Sequence, residues 1–237
     1  MGILGWLVAP ALAQGAQRPD LVRLVVLTAG LIWQFVLVLI LLYRETGDLR
    51  WSTVRKRLWL NPPRSPKTGE PRHRLWWWLV PLILVTAALQ LLAGDTVERI
   101  WVSLFPFMAE PPSFSLSAAL ATPEARAQLA GAWGMLALYV LSALFNTLLG
   151  EELLFRGILL PRMAGSFGKW DWVVNGALFG LYHLHQPWGI LDSAIEGILL
   201  LALPSRYFRS AWFGVIVHSG QSIYFTFLLL GLVLGLA

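Results

Sequence analysis

The sequence predicts an all-α fold: a polytopic transmembrane helical bundle of about six principal spans plus an interfacial helix. Three observations carry this. Of the 237 residues, 57% are apolar and 13% are charged, whereas an ordinary soluble domain is about a quarter charged. That leaves too little polar surface to coat a soluble globule. The apolar residues also fall into long runs, and a bilayer crossing needs about 20 of them. The 13 tryptophans are the residue type that gathers at membrane interfaces. Together these observations argue against a soluble enzyme or a disordered chain. The absence of Cys excludes disulfides, thiol nucleophiles and Cys-based metal sites.

The clearest span is residues 21–43, interrupted by Arg23 and Gln34. The second, 75–93, opens on Trp76, Trp77 and Trp78. Residues 132–163 form an apolar stretch too long for one simple crossing, broken near its middle by Gly150, Glu151 and Glu152. Residues 172–185 and 189–203 are shorter and carry polar groups, and 212–236 closes the set. Residues 44–74 hold nine Lys/Arg against three acids, and 94–131 hold two Arg against four acids. The positive-inside rule therefore puts the first loop in the cytoplasm and the second outside, with both termini outside. The basic excess behind a pI near 10.0 lies largely in a loop between two spans. It reports orientation and contact with anionic headgroups, and nucleic acid is a poor fit.

Three smaller segments complete the reading. Residues 3–13 are apolar and end in Ala-Leu-Ala, but lack the charged start of a signal peptide, so an interfacial or frayed start is expected. Within 49–60, Trp51, Val54 and Leu58 share a helical face with the cations largely elsewhere, which suits a helix on an anionic leaflet. A solvated basic loop is the plain alternative. Thr122 followed by Pro123 and Glu124 reads as an N-cap, from which a long helix is expected to run inward through residue 150. The chain divides at 1–130, holding the N-terminal spans and both loops, and 131–237, a C-terminal helical core.

Charge inside a span costs at least about 2.5–3.5 kcal/mol on insertion scales, so intramembrane ionisable groups are functional candidates. Here they are Glu151, Glu152, Arg156, His183, His185, Asp192, Glu196 and His218. Glu151 lies roughly a dozen residues before the turn at 164–170, and His183 roughly a dozen after it. At 1.5 Å per residue both sit about 18 Å from the same face, and His218 about 10 Å. Glu152 and Arg156 are four apart, the spacing of an intrahelical ion pair, which leaves Glu151 free on another face. Phe179 shares a face with His183, and Ser222 with His218.

A carboxylate and an imidazole converging in an apolar, water-accessible cavity can activate water. A second imidazole with a neighbouring hydroxyl can donate to an oxyanion. Any one of these residues alone reads more simply as a buried group bonded to a backbone carbonyl. The set at matched depths does not, because Asn or Ser would serve packing at lower cost. The motifs of other intramembrane proteases are missing: there is no His-Glu-x-x-His, Gly-x-Ser-Gly or Gly-x-Gly-Asp.

The stretch Glu151-Glu152-Leu153-Leu154-Phe155-Arg156-Gly157 resembles the Glu-Glu-x-x-x-Arg motif of the CPBP family, the CAAX-processing and bacteriocin-processing membrane proteases. Phe179-Gly180-Leu181-Tyr182-His183 resembles that family's Phe-x-x-x-His motif. Val215-Ile216-Val217-His218 resembles its C-terminal part, so the likeness spans about 145–225. The resemblance implies an intramembrane endopeptidase with a cavity open toward the cytoplasm. It makes Glu151 the base, His183 a holder of the water and His218 the oxyanion donor, supported by Glu152, Arg156, Phe179 and Ser222. The family usually has Asn where Ser222 stands, and Ser lacks its reach; Gln221 points about 100° away on a helix.

The expected partners are a membrane-associated peptide or protein substrate and a lipid bilayer, with anionic headgroups at the 44–74 loop and no nucleic acid. The expected location is a bacterial inner membrane. No cofactor is required by this reading. A divalent metal such as zinc held by Glu151, His183 and His218 is the alternative. Asp192 and Glu196 are assigned a secondary polar role, and His185 with Trp188 the outer end of a span. Two other classes compete: a non-catalytic scaffold or bacteriocin-immunity-type binding protein using the same cavity, and a proton-coupled transporter.

Overall fold

The computed structural model describes residues 1–115, 120 and 122–236, and among them the chain is helical without strands. In order, the helices are α1 (Leu4–Ala13), α2 (Pro19–Thr46), α3 (Trp51–Arg57), α4 (His73–Leu92), α5 (Gly94–Leu104), α6 (Pro123–Ala127), α7 (Trp133–Met163), α8 (Asp171–Tyr182), α9 (Pro187–Phe208) and α10 (Trp212–Val233). Five of them, α2, α4, α7, α9 and α10, are long and apolar enough to cross a membrane. The remaining expected crossing, α8, has 12 residues and rises only about 18 Å, short of a hydrocarbon core of about 30 Å.

α2 begins with Pro19 at its first turn and ends on Gly47, whose φ of 73° only glycine adopts freely. Its buried residues Thr28, Leu31, Gln34, Val38 and Leu42 recur every three or four positions and face the bundle. α4 is the opposite case. It exposes Trp77, Trp78, Val80, Ile83, Leu84, Val85, Leu91 and Leu92, while Thr86 turns inward and donates to Leu82 O. In lipid such a face is solvated, and the helix keeps its backbone bonds internal.

Two apolar clusters organise the interior. One joins Val38, Leu42, Leu58, Leu60, Leu153, Ile158 and Ala211. The other joins Phe155, Phe179, Leu200, Leu201 and Val217 around the polar site. α8 and α9 approach closely through small residues. A Cβ on Gly180 would lie 2.6 Å from Ala194 Cβ, and one on Gly176 would strike Ile198 N. This is small-residue packing between membrane helices.

The structure revises several expectations. The helix expected from Thr122 through residue 150 is two helices. Thr122 does cap, its hydroxyl oxygen accepting Ala125 N at 3.1 Å. α6 then ends at Ala127, and Gly131 turns the chain at φ 76° while its N–H donates to Val233 O at 2.9 Å. α1 is docked rather than frayed: Trp6 Nε1 donates to Leu184 O at 2.7 Å. α3 forms with Trp51 exposed, while Leu58, just past its end, is buried in the bundle. Trp188 is buried near Phe114, with ring centroids 6.3 Å apart, so it is a core residue and not an interface anchor.

Candidate active site

α7 carries the acidic pair, and its helical geometry is unusual there. Two stretches with wide i→i+5 turns, Phe145–Gly150 and Leu153–Leu159, bracket Glu151 and Glu152. Such widened turns are rare and concentrate at functional sites. Gly150 permits the first: a Cβ there would collide with Phe145 O and lie 3.2 Å from Leu31 O of α2.

Glu152 and Arg156 form the expected ion pair, NH1 to Oε1 at 3.1 Å, with both side chains fully buried. The same Oε1 lies 3.1 Å from His218 Nδ1, so α10 is tied to the pair. Arg156 also donates to Gly197 O at 3.2 Å, and its guanidinium stands 4.2 Å over the Phe179 ring. Burying a charge is costly unless it is paired and hydrogen-bonded; this arginine gains a carboxylate, a carbonyl and an aromatic face.

Glu151 faces elsewhere, as its position one residue from Glu152 requires. Its Oε2 lies 4.0 Å from His183 Nε2, and it is only 1% exposed. With its amide nitrogen turned to the carboxylate, Asn146 donates to Glu151 Oε1 at 2.7 Å and Oε2 at 3.1 Å. His183 lies just past the end of α8, and its Nδ1 meets Phe179 O at 2.8 Å. That contact assigns the Nδ1–H tautomer and turns Nε2, with its lone pair, toward Glu151. Phe179 sits between the two imidazoles, its ring 4.7 Å from His183 and 5.9 Å from His218. The Tyr182 hydroxyl donates to Gln34 Oε1 of α2 at 2.8 Å and borders the Glu151 carboxylate.

Glu151, His183 and His218 thus converge in one polar cluster with Glu152, Arg156 and Phe179. Ser222 does not join it: its carbonyl accepts Thr226 Oγ1 at 2.7 Å, and no hydrogen bond links its hydroxyl to the site among the described residues. Ser219 instead pairs with Thr147 at 3.1 Å. Gln221 donates to Glu196, which binds α9 to α10 beside the site. Asp192 and Glu196 line a small cavity with Thr86, Gln90 and Val97. His185 stacks on His183 at 5.4 Å and its carbonyl accepts Arg23 NH2 at 2.9 Å.

Asn146, Tyr182 and Gln34 were not singled out as site residues from the sequence. Gln34 and Asn146 are polar positions within apolar runs, which was the available signal. The side chains of His183 and His218 are 15% and 10% exposed, so the edges of both imidazoles are reachable. A separate apolar cleft of about 190 Å³ runs between α4 and α10, lined by Ile83, Thr86, Gln90, Val217 and Gln221 among others.

Residues 132–224 match the family model of the Rce1-like type II CAAX prenyl endopeptidases, which takes in all three motifs. The match supports the resemblance to the CPBP family over these residues. No curated protein and no solved structure matches the chain. Every polar residue of the cluster except Gln34 lies within the matched residues. Among the described residues no group of three or more His, Cys, Asp or Glu side chains is placed to hold a metal ion, and His218 Nδ1 faces Glu152.

Proposed function

We propose that the protein is an intramembrane endopeptidase that hydrolyses a peptide bond of a membrane-associated peptide or protein. The observation that carries this is Glu151 facing His183 Nε2 across 4.0 Å, with the imidazole held from behind by Phe179 O. That separation is too long for a direct hydrogen bond and suits one bridging water. Glu151 takes the proton of that water as it attacks the carbonyl carbon, while His183 Nε2 accepts the second water hydrogen and fixes its lone pair. Glu151 then delivers the proton to the leaving amine. Two carboxylates side by side are kept distinct because Arg156 and His218 both bind Glu152.

His218 presents its Nε2 edge to the site, since Nδ1 is taken by Glu152. In its doubly protonated form it donates Nε2–H to the tetrahedral oxyanion. Ser222 contributes to this step only if substrate binding draws its hydroxyl inward. No step is routed through a metal. The residues 44–74 loop faces the cytoplasmic leaflet, and a bacterial inner membrane is the proposed location.

The test is cleavage of a peptide library by protein purified in detergent. Glu151→Gln is expected to reduce turnover by at least about a thousandfold, the scale of losing a general base together with water positioning. Full cleavage by that variant overturns the proposal. A preserved biological phenotype in cells carrying Glu151→Gln would transfer support to the non-catalytic binding reading.

A further inference from the structure

A second polar site lies on the basic loop, away from the acidic pair. Trp51, Ser52, Arg55, Lys56, Asn61 and Arg64 line a cavity of about 440 Å³. Two of the loop's three acids are engaged by other cations: Arg57 pairs with Glu45 at 3.4 Å, Arg162 also pairs with Glu45, and Arg50 pairs with Asp48 at 3.1 Å, while the third, Glu70, forms no ion pair among the described residues. Arg55 and Lys56 are exposed and have no carboxylate partner among the described residues. Arg64 spends one donor on Gly69 O at 3.0 Å. Three cations therefore face one cavity without a counter-charge from the chain.

The cavity is built on a fixed frame. Ser210 Oγ donates to Asn61 O at 2.7 Å, Arg64 N donates to Phe208 O at 2.8 Å, and Ala211 N donates to Trp59 O at 2.9 Å. These bonds fasten its floor to the junction of α9 and α10. Leu58 and Leu60, just beyond α3, are buried in the cluster with Leu153 and Ile158. Trp51 at the cavity is 62% exposed, and Trp77 and Trp78 are exposed at the start of α4 at the same end of the bundle, where Trp78 packs near Phe208. Exposed tryptophans mark the headgroup level.

We infer that this cavity binds the phosphate headgroup of one anionic phospholipid of the cytoplasmic leaflet, with Arg55, Lys56 and Arg64 as phosphate ligands, Asn61 and Ser52 as neutral donors, and Trp51 against the glycerol region. This is a discrete site for a single lipid, beyond the general attraction of a basic loop to an anionic surface. Arginine and lysine suit phosphate oxygens by charge and by N–H geometry.

The test is native mass spectrometry of the full chain, titrated with equal amounts of phosphatidylglycerol and phosphatidylcholine. One phosphatidylglycerol is expected to be retained with at least about tenfold preference, because the cations attract an anionic headgroup. The preference is expected to vanish in Arg55→Gln/Lys56→Gln/Arg64→Gln and to persist in Arg50→Gln/Lys67→Gln/Arg72→Gln, which removes equal charge elsewhere in the loop. Should the first variant fail to fold, Ser52→Phe fills the cavity with the cations intact and is expected to abolish retention too. Equal loss in both triple variants, retention by the Ser52→Phe protein, or displacement of the lipid by millimolar inorganic phosphate overturns the inference. Because the readout is lipid retention, its outcome is independent of whether the chain cleaves peptides.

Discussion

Asn146 and Glu151 are five residues apart on α7, yet the Asn146 amide reaches both carboxylate oxygens, at 2.7 and 3.1 Å. In a regular α-helix such residues point about 140° apart. The wide turn over Phe145–Gly150 closes that angle. The consequence is a carboxylate whose direction is set from its own helix, while His183 faces it from the next element.

Asn146 is accordingly a positioning residue. Asn146→Leu is expected to lower kcat about tenfold with KM nearly unchanged, since one hydrogen bond to a charged group is worth about 1.5–3 kcal/mol. Asn146→Gln, which keeps the amide, is expected to recover part of the loss. Steady-state kinetics with thermal melts in parallel decide: a fall in stability without a fall in kcat rejects the role.

The Glu152–Arg156 pair is expected to dominate stability around the site. Arg156→Met leaves Glu152 buried with only His218 beside it, and breaking such a pair costs about 3–5 kcal/mol. Chemical denaturation in detergent measures it. A double variant, Glu152→Leu/Arg156→Met, is expected to be less destabilised than Arg156→Met alone, because no uncompensated charge remains.

Gly214 marks the closest approach of α10 to that carboxylate. A Cβ there would collide with Glu152 Oε2 and sit 3.2 Å from Arg156 Cγ. Gly214→Ala is expected to cost about 1–3 kcal/mol as an overpacking change. Gly231→Ala, on the same helix with nothing within 4 Å, is expected to be neutral or to stabilise by up to about 1 kcal/mol. Comparable melts for the two variants would contradict the packing described.

Asp48 anchors the start of α3. Its carboxylate accepts Arg50 N at 2.7 Å, Arg50 NH2 at 3.1 Å and Thr53 Oγ1 at 3.0 Å. The Arg50 guanidinium, then the Arg50 amide and the Thr53 hydroxyl, hold its pKa below the usual carboxylate range. A depressed pKa means the anchor is intact above about pH 4, the unfolded value, and is lost as pH falls through the folded one. Hydrogen-exchange protection of 50–57, taken relative to the intrinsic amide exchange rate at each pH, is expected to fall over that acidic window and to be independent of pH in Asp48→Asn.

Much of this was legible in the chain because lipid makes hydropathy decisive. Runs without charge must be helices with their backbone satisfied internally, and the nine cations of 44–74 are what the expected orientation rests on. Glu152 and Arg156 were legible as a pair because four residues make nearly one α-helical turn. His183 was legible opposite Glu151 because two antiparallel segments share a short turn. Gln34 and Tyr182 were not, because α2 and α8 are 148 positions apart at that contact and nothing local records it. Ser222 was expected beside His218 on helical spacing and on the family resemblance; the neighbouring Gln221 reached Glu196, a partner supplied by α9.

By itself, the sequence determined the solvent, most of the helices and the residue types of the acidic and imidazole cluster. These depend on composition and short-range periodicity. The tertiary structure decided which carboxylate faces which imidazole, that α6 and α7 are separate, and that the basic loop folds over the α9–α10 junction to enclose a cavity. The reason is physical: a regular helical period predicts directions only while the turns stay regular. At Phe145–Gly150 they widen because Gly150 lets α2 approach, and that choice is made by the neighbouring helix.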